Sequence, residues 1–255
     1  DAGLVLSACI TSILCPSDEQ VSSTVSKEFL QINLPIFTRL LLTIKNQPET
    51  SMTQSSFHIL ELGAGCGIVS LTLFCCLARN EPQKTTHLTL TDLPAASSIL
   101  ELNMALSSKY LYPHLQSNQS QSSITHMVLD WTATLPVFIT KTKWDLVLVA
   151  DCTYNPDVIP DLVATLGRIK TQVSCMSTIQ RENQYMGNLL ASTPIVIIAL
   201  KERHPSEHIL FILMEREQWQ VVEECVITLP DTIHPEEIRI FVFAPKADLA
   251  ILKLL

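Results

Sequence analysis

The segment Glu61-Leu-Gly-Ala-Gly-Cys-Gly67 constrains this chain more than any other. Before it stands Phe57-His-Ile-Leu-Glu-Leu62, which reads as a strand, and after it the apolar run Ile68 to Arg79, which reads as a helix. A strand, a tight glycine turn and a helix open a βαβ unit. Gly63, Gly65 and Gly67 withdraw side chains, so that backbone can approach a ligand closely. In open parallel sheets, ligands bind beyond the carboxyl ends of the strands, where the strand order reverses. The spacing here is Gly-x-Gly-x-Gly. A dinucleotide fingerprint needs Gly-x-Gly-x-x-Gly, and position 68 is Ile. Glu61 argues the same way, because a carboxylate repels a pyrophosphate and suits a cationic amino-acid ligand.

The rest of the chain continues the alternation. Strands are expected at His87–Thr91, His126–Trp131, Trp144–Ala150, Pro194–Leu200, Trp219–Thr228 and Ile238–Ala244. Helices are expected within Ala2–Leu14, over Ser26–Ile44 with a break or kink at Pro35, over Ala95–Ser107, from Asn155-Pro156-Asp157 onward, and from His204-Pro205 to about Gln218. Asp18–Thr24, Lys45–Ser56 and Gln116–Thr125 read as loops. The near-continuous apolar run Trp144-Asp-Leu-Val-Leu-Val-Ala150 suits a strand covered on both faces. Together these predict an α/β fold: a three-layer, Rossmann-like sandwich around a seven-stranded, mostly parallel sheet. No helix separates the final two strands, so they pair antiparallel and the last strand runs against the rest. A single domain is expected over 1–255. It divides into an N-terminal helical segment (1–56), a cofactor-binding half (57–170), a polar insertion or lid (171–192) and a substrate-side half (193–255).

Composition narrows the function. The chain of 255 residues is 47% hydrophobic and 16% charged, with a formal net charge of -8. Lys and Arg do not cluster, so nucleic acid is not an expected partner. The longest apolar run, Ile68–Ala78, is too short to span a bilayer. The 8 cysteines form no Cys-x-x-Cys pair and no histidine cluster has ligand spacing, so no metal site is expected. Cysteines within apolar runs suit a reducing compartment, the cytoplasm with or without the nucleus. A first residue other than Met reads as a fragment or trimmed product.

A second acid, Asp92, ends the second strand, where a carboxylate can accept both ribose hydroxyls of an adenosine. With Ile59-Leu-Glu-Leu-Gly-Ala-Gly-Cys-Gly67, Thr91-Asp-Leu-Pro94 and Asn103 downstream, Leu129-Asp-Trp131, and Trp144 through Asp151-Cys-Thr-Tyr154, the chain resembles the class I, seven-strand methyltransferases. More narrowly it resembles family 16, a protein-lysine methyltransferase group whose members act on translation factors and chaperones. That resemblance covers about Gly3 to Ala244. It implies S-adenosylmethionine as cofactor. Glu61, Gly63, Ala64 and Gly65 would line its methionine part, Asp92 would hold the ribose, Asp130 and Trp131 would flank the adenine, and Ala150 would border it. Asp151 and Tyr154 would be the catalytic pair, with a lysine side chain of a protein as acceptor and a monomer as the working form. Two departures stand out. Leu6 occupies the place of a usual Trp, and the usual N-terminal β-hairpin is absent.

Methyl transfer from a sulfonium is a direct displacement, for which alignment is the main requirement. A lysine must first become neutral, and from a pKa of about 10.4 this costs roughly 4–5 kcal/mol near neutral pH. Asp151 stabilises the ammonium, so it is expected to capture and orient the lysine rather than deprotonate it. Two alternatives stay open: a small-molecule N-methyltransferase on the same scaffold, and a non-catalytic cofactor-binding protein. An open acidic groove favours a protein substrate, and an enclosed aromatic pocket a small molecule.

Overall fold

The computed structural model describes residues 1–16, 33–46, 56–78, 85–111, 122–171, 194–229 and 236–249. One seven-stranded sheet organises them, in the order β3-β2-β1-β4-β5-β7-β6. The strands are β1 (Phe57–Leu62), β2 (Thr86–Asp92), β3 (Ser123–Val128), β4 (Leu146–Ala150), β5 (Ile195–Leu200), β6 (Trp219–Leu229) and β7 (Glu236–Pro245). Neighbours from β3 to β5 run parallel, and β7 lies antiparallel between β5 and β6. The final hairpin therefore pairs as the missing helix requires. The strand order reverses between β1 and β4.

The helices are α1 (Ala2–Leu14), α2 (Pro35–Asn46), α3 (Ile68–Ala78), α4 (Ser97–Leu111), α5 (Val137–Lys141), α6 (Ile159–Thr171) and α7 (Ile209–Arg216). Side-chain alternation along the central strands sorts them into two layers. Leu146 and Leu148 of β4 face a core built with α1, α2, α3 and Leu100 of α4. Val147 and Val149 face the other core, built with Ile139 of α5, Leu162 and Leu166 of α6, and Leu210 and Met214 of α7. That two-sided burial accounts for the unbroken apolar composition of β4.

Three boundaries differ from expectation. The second helix begins at Pro35, and the expected start at Ser26 lies outside the described residues. Proline suits a first helical position, having no N–H to satisfy. The N–H groups of Ile36 and Phe37, which the helix start leaves without intrahelical partners, are met by the Glu223 carboxylate of β6, at 2.5 and 3.1 Å. Strand β3 spans Ser123–Val128 rather than His126–Trp131. It is an edge strand, bonded to β2 alone, so Ser123 and Thr125 can stand in it without burying both faces. Asp130 and Trp131 accordingly lie in the turn beyond the strand. Helix α5 fills a stretch for which the sequence pattern indicated no element, pinned where the Trp144 indole N–H donates to Ile139 O at 2.9 Å. Of the expected loop Lys45–Ser56, Lys45 and Asn46 close α2, and of the insertion expected at 171–192, Thr171 ends α6. The expected loop Asp18–Thr24, residues 47–55, residues 116–121 and residues 172–192 lie outside the described residues.

Leu148 is fully buried in the middle of the sheet. Leu148→Ala is expected to cost about 2–5 kcal/mol of stability, read from the urea unfolding midpoint. The exposed Leu102 of α4 gives the contrast, since Leu102→Ala should stay within about 0.5 kcal/mol of the parent.

Candidate active site

The turns that follow β1, β2, β3 and β4 converge at the carboxyl edge of the sheet, beside the reversal of strand order. Gly63 begins the first turn with a left-handed φ of +66°. A Cβ there would stand 2.4 Å from Cys152 Sγ and 3.4 Å from the Trp131 ring, so glycine is required by conformation and by space. At Gly65, φ is again positive (+56°), but a Cβ would meet no atom within 4 Å. The backbone at Gly65 thus borders open space, while Gly67 is hemmed in by Leu90, Leu100 and Leu71. Ala64 is buried and donates its N–H to Thr91 O at 2.9 Å, which ties the first turn to β2.

Asp92 is the clamp of this turn. One carboxylate oxygen accepts from Gly65 N–H at 2.7 Å and the other from Leu93 N–H at 2.7 Å. Each oxygen keeps a further lone pair, so two hydroxyls of a ligand can still donate to it. Asn103, singled out by its motif but given no role, donates from Nδ2 to Cys66 O at 2.8 Å and braces the same turn from α4.

Glu61 is only 2% exposed. Its carboxylate accepts from Ser70 N–H at 3.1 Å, in the first turn of α3, where a helix favours negative charge. Burial still dominates and pushes its pKa up to about 7, opposed by the Ser70 bond and reinforced by the nearby Asp92 charge. Glu61 therefore braces the turn from beneath, through its bond to the start of α3.

Asp130 is exposed and accepts from the Thr132 N–H (2.9 Å) and hydroxyl (2.7 Å), bonds that lower its pKa. This local turn presents Trp131, whose half-buried ring lies against Gly63. Ala150 ends β4 and packs toward Gly3 of α1, where a Cβ would come within 3.9 Å of the alanine's own. Leu6, one turn along α1, is fully buried in the core.

Beyond Ala150 the chain turns sharply. Asp151 has φ +59°, a left-handed conformation unusual outside glycine and found most often in functional or tight turns. Its N–H donates to Ala199 O at 2.9 Å. Its carboxylate is gripped by Arg203, Nη1 to Oδ1 at 2.8 Å and Nη2 to Oδ2 at 3.1 Å. Partial burial raises the Asp151 pKa, but this bidentate partner outweighs it and the net shift is downward. Tyr154 is 68% exposed and stands at the rim. The structure thus gathers Gly63, Ala64, Gly65, Asp92, Trp131, Ala150 and Asp151 around one edge, with Asp130 and Tyr154 further out and Glu61 below. Sequence reasoning passed over Arg203, Cys152 and Glu207. Their one signal was position, directly after buried strands at the same edge.

The Glu61 shift has a thermodynamic consequence. An acid whose pKa folding raises from 4.5 to about 7 stays protonated in the fold while it ionises in the unfolded chain. Stability therefore falls as pH rises through that window and then levels off, by up to roughly 3 kcal/mol. Urea unfolding between about pH 5 and about pH 8 should show this fall in the parent and not in Glu61→Gln.

Comparison with known proteins places these features in a family. A SAM-dependent methyltransferase of Methanosarcina mazei is similar at 12% identity and a TM-score of 0.46, over 75% of this chain and 93% of that one. The rRNA methyltransferase aviRa of Streptomyces viridochromogenes gives 12% and 0.46 over 86% and 84%. A UPF0665 family protein of Schizosaccharomyces pombe is 24% identical over 194 residues, 73% of this chain and 52% of the relative, so the chain spans about half that relative's length. The lysine methyltransferase family model matches residues 34–186, which include the glycine turn, Asp92, Trp131 and Asp151 through Tyr154. On that match the chain belongs to the lysine methyltransferase family.

Proposed function

We propose that the chain transfers methyl groups from S-adenosylmethionine to a lysine side chain of a protein. The observation that carries this reading is Asp151: a carboxylate held in a left-handed turn at the end of β4, 28% exposed, at an edge lined by Asp92 and Asp130. An acidic, open rim with Tyr154 exposed suits a cationic side chain on a large molecule better than an enclosed small molecule.

The residues fit the cofactor. Open space beside the Gly65 backbone leaves room for its amino-acid end, and Asp92 keeps lone pairs for ribose hydroxyls. The Trp131 face, held beside Gly63, suits an adenine. Bound there, the cofactor would supply an electrophilic methyl group, with its sulfur as the leaving group, to a neutral amine. The ammonium must lose its proton to water beforehand. Asp151 receives the ammonium and sets its direction of approach, Tyr154 closes the rim over its methylene chain, and the rigid turn after β4 keeps both in line.

Binding and transfer should separate by mutation. Gly65→Ala places a methyl in the open space at a left-handed φ. It is expected to weaken cofactor binding at least tenfold in calorimetric titration while costing only about 1–2 kcal/mol of stability. Asp151→Asn should bind cofactor as the parent does. Its transfer of labelled methyl to proteins of a lysate lacking this chain should fall at least tenfold, and equal labelling by Asp151→Asn would overturn the reading.

A further inference from the structure

Resting on the reading of Asp151 as the lysine-capturing group, we infer that Arg203 is a charge-compensating positioning residue, keeping Asp151 oriented while preventing it from locking the substrate amine in its protonated form. The need for such a residue follows from the chemistry. A lone carboxylate beside the amine favours binding of the ammonium and disfavours the neutral amine that reacts. A carboxylate already paired with a guanidinium retains lone pairs to accept a hydrogen bond but has its charge largely cancelled.

The structure builds that pair deliberately. Arg203 makes two parallel bonds to Asp151, 2.8 and 3.1 Å, and its side chain is 39% exposed against 28% for the acid. Glu207, almost fully buried, fixes both partners' loops to each other. Its Oε2 accepts from the Thr153 hydroxyl at 3.0 Å, two residues after Asp151. Its Oε1 accepts from the N–H groups of Arg203 (2.9 Å) and His204 (3.1 Å). A capping box at His204 and Glu207 then anchors the segment to the helical turn that leads into α7. The guanidinium is thus delivered by a braced backbone.

Other charges surround the pair. On the α1 side stands the Asp1 carboxylate with its partner Lys201. Glu236 of β7 and Glu207 act on Arg203. Glu61, Asp92 and Asp151 act together on Cys152. None of these changes between the variants below, so their comparison isolates Arg203.

Transfer from methyl-labelled cofactor into a lysate lacking this chain is measured at saturating cofactor, across lysate dilutions and from about pH 6.5 to about pH 10, by counting the labelled acceptor band. Arg203→Gln and Arg203→Met leave Asp151 unpaired. At about pH 7.5 both should give half-saturation at lower acceptor concentration and a maximal rate roughly tenfold below the parent, a deficit that closes as pH rises, equivalent to a shift of about one unit in the pH of half-maximal rate. Arg203→Lys should restore most of the parent profile, and adding Asp151→Asn to Arg203→Gln should abolish the pH shift. Calorimetric cofactor binding and melting temperature, unchanged in every variant, establish that the fold and cofactor site persist. A deficit that is the same at every pH overturns the charge-compensating role and leaves Arg203 a structural brace. Unchanged transfer by Asp151→Asn alone overturns instead the lysine-capturing role of Asp151.

Discussion

Gly63 has no Cβ, and Cys152 Sγ stands in the space that one would fill. The arrangement of the sheet's carboxyl edge depends on this contact. It lets the turn after β1 pass against the turn after β4, and Trp131 from the turn after β3 closes on the same glycine. The single S–H of Cys152 has Ala150 O, Leu62 O and Gly63 O within reach at 3.4, 3.5 and 3.6 Å, a weak shared bond that needs the thiol protonated. Burial, with the charges of Glu61 and Asp92, holds its pKa above the usual thiol range. A buried thiol is small, apolar and a donor at once, which is what crowded carbonyl oxygens require.

Around that contact, buried acids do the fastening. Glu61 ties β1 to the start of α3, and Glu207 ties the turn after β4 to the segment after β5. Both accept from backbone N–H groups that no regular ladder reaches, and Glu207 accepts from the Thr153 hydroxyl as well. Asp92 does the same at an exposed position for the glycine turn itself. The edge is therefore stiffened by acids, and the exposed Asp92 carboxylate among them also faces whatever binds there.

The legibility of the fold followed the burial of its parts. Strands covered on both faces, such as β4 and β5, announced themselves by unbroken apolar runs, and their boundaries came within two residues. Edge strand β3 was displaced by three residues, because Ser123 and Thr125 read as loop when no partner face is considered. Motif residues were legible as positions: the structure gathers Gly63, Gly65, Asp92, Trp131 and Asp151 at one edge. Their mutual contacts were not. Nothing in the spacing from Asp151 to Arg203 indicates a bidentate pair, since it arises from strand order, β5 lying next to β4. Leu6, a departure from the family pattern, proves to be a fully buried core residue of α1.

The openness of the rim bears on how a lysine could react there. Deprotonating an ammonium is easier where water is excluded, because desolvation disfavours the charged form. Yet Tyr154, Asp130 and Leu93 are exposed, and among the described residues no element covers them. On the proposed reading the acceptor's own surface displaces water from Tyr154 and the Asp151–Arg203 pair as it docks. Specificity then comes from the fit of that surface around the lysine as much as from the lysine itself. A free amine would meet the same carboxylate but would leave the rim wet, and it would remain largely protonated. A site that relies on its substrate for its own dryness has a physical reason to prefer a folded protein over a small molecule bearing the same functional group.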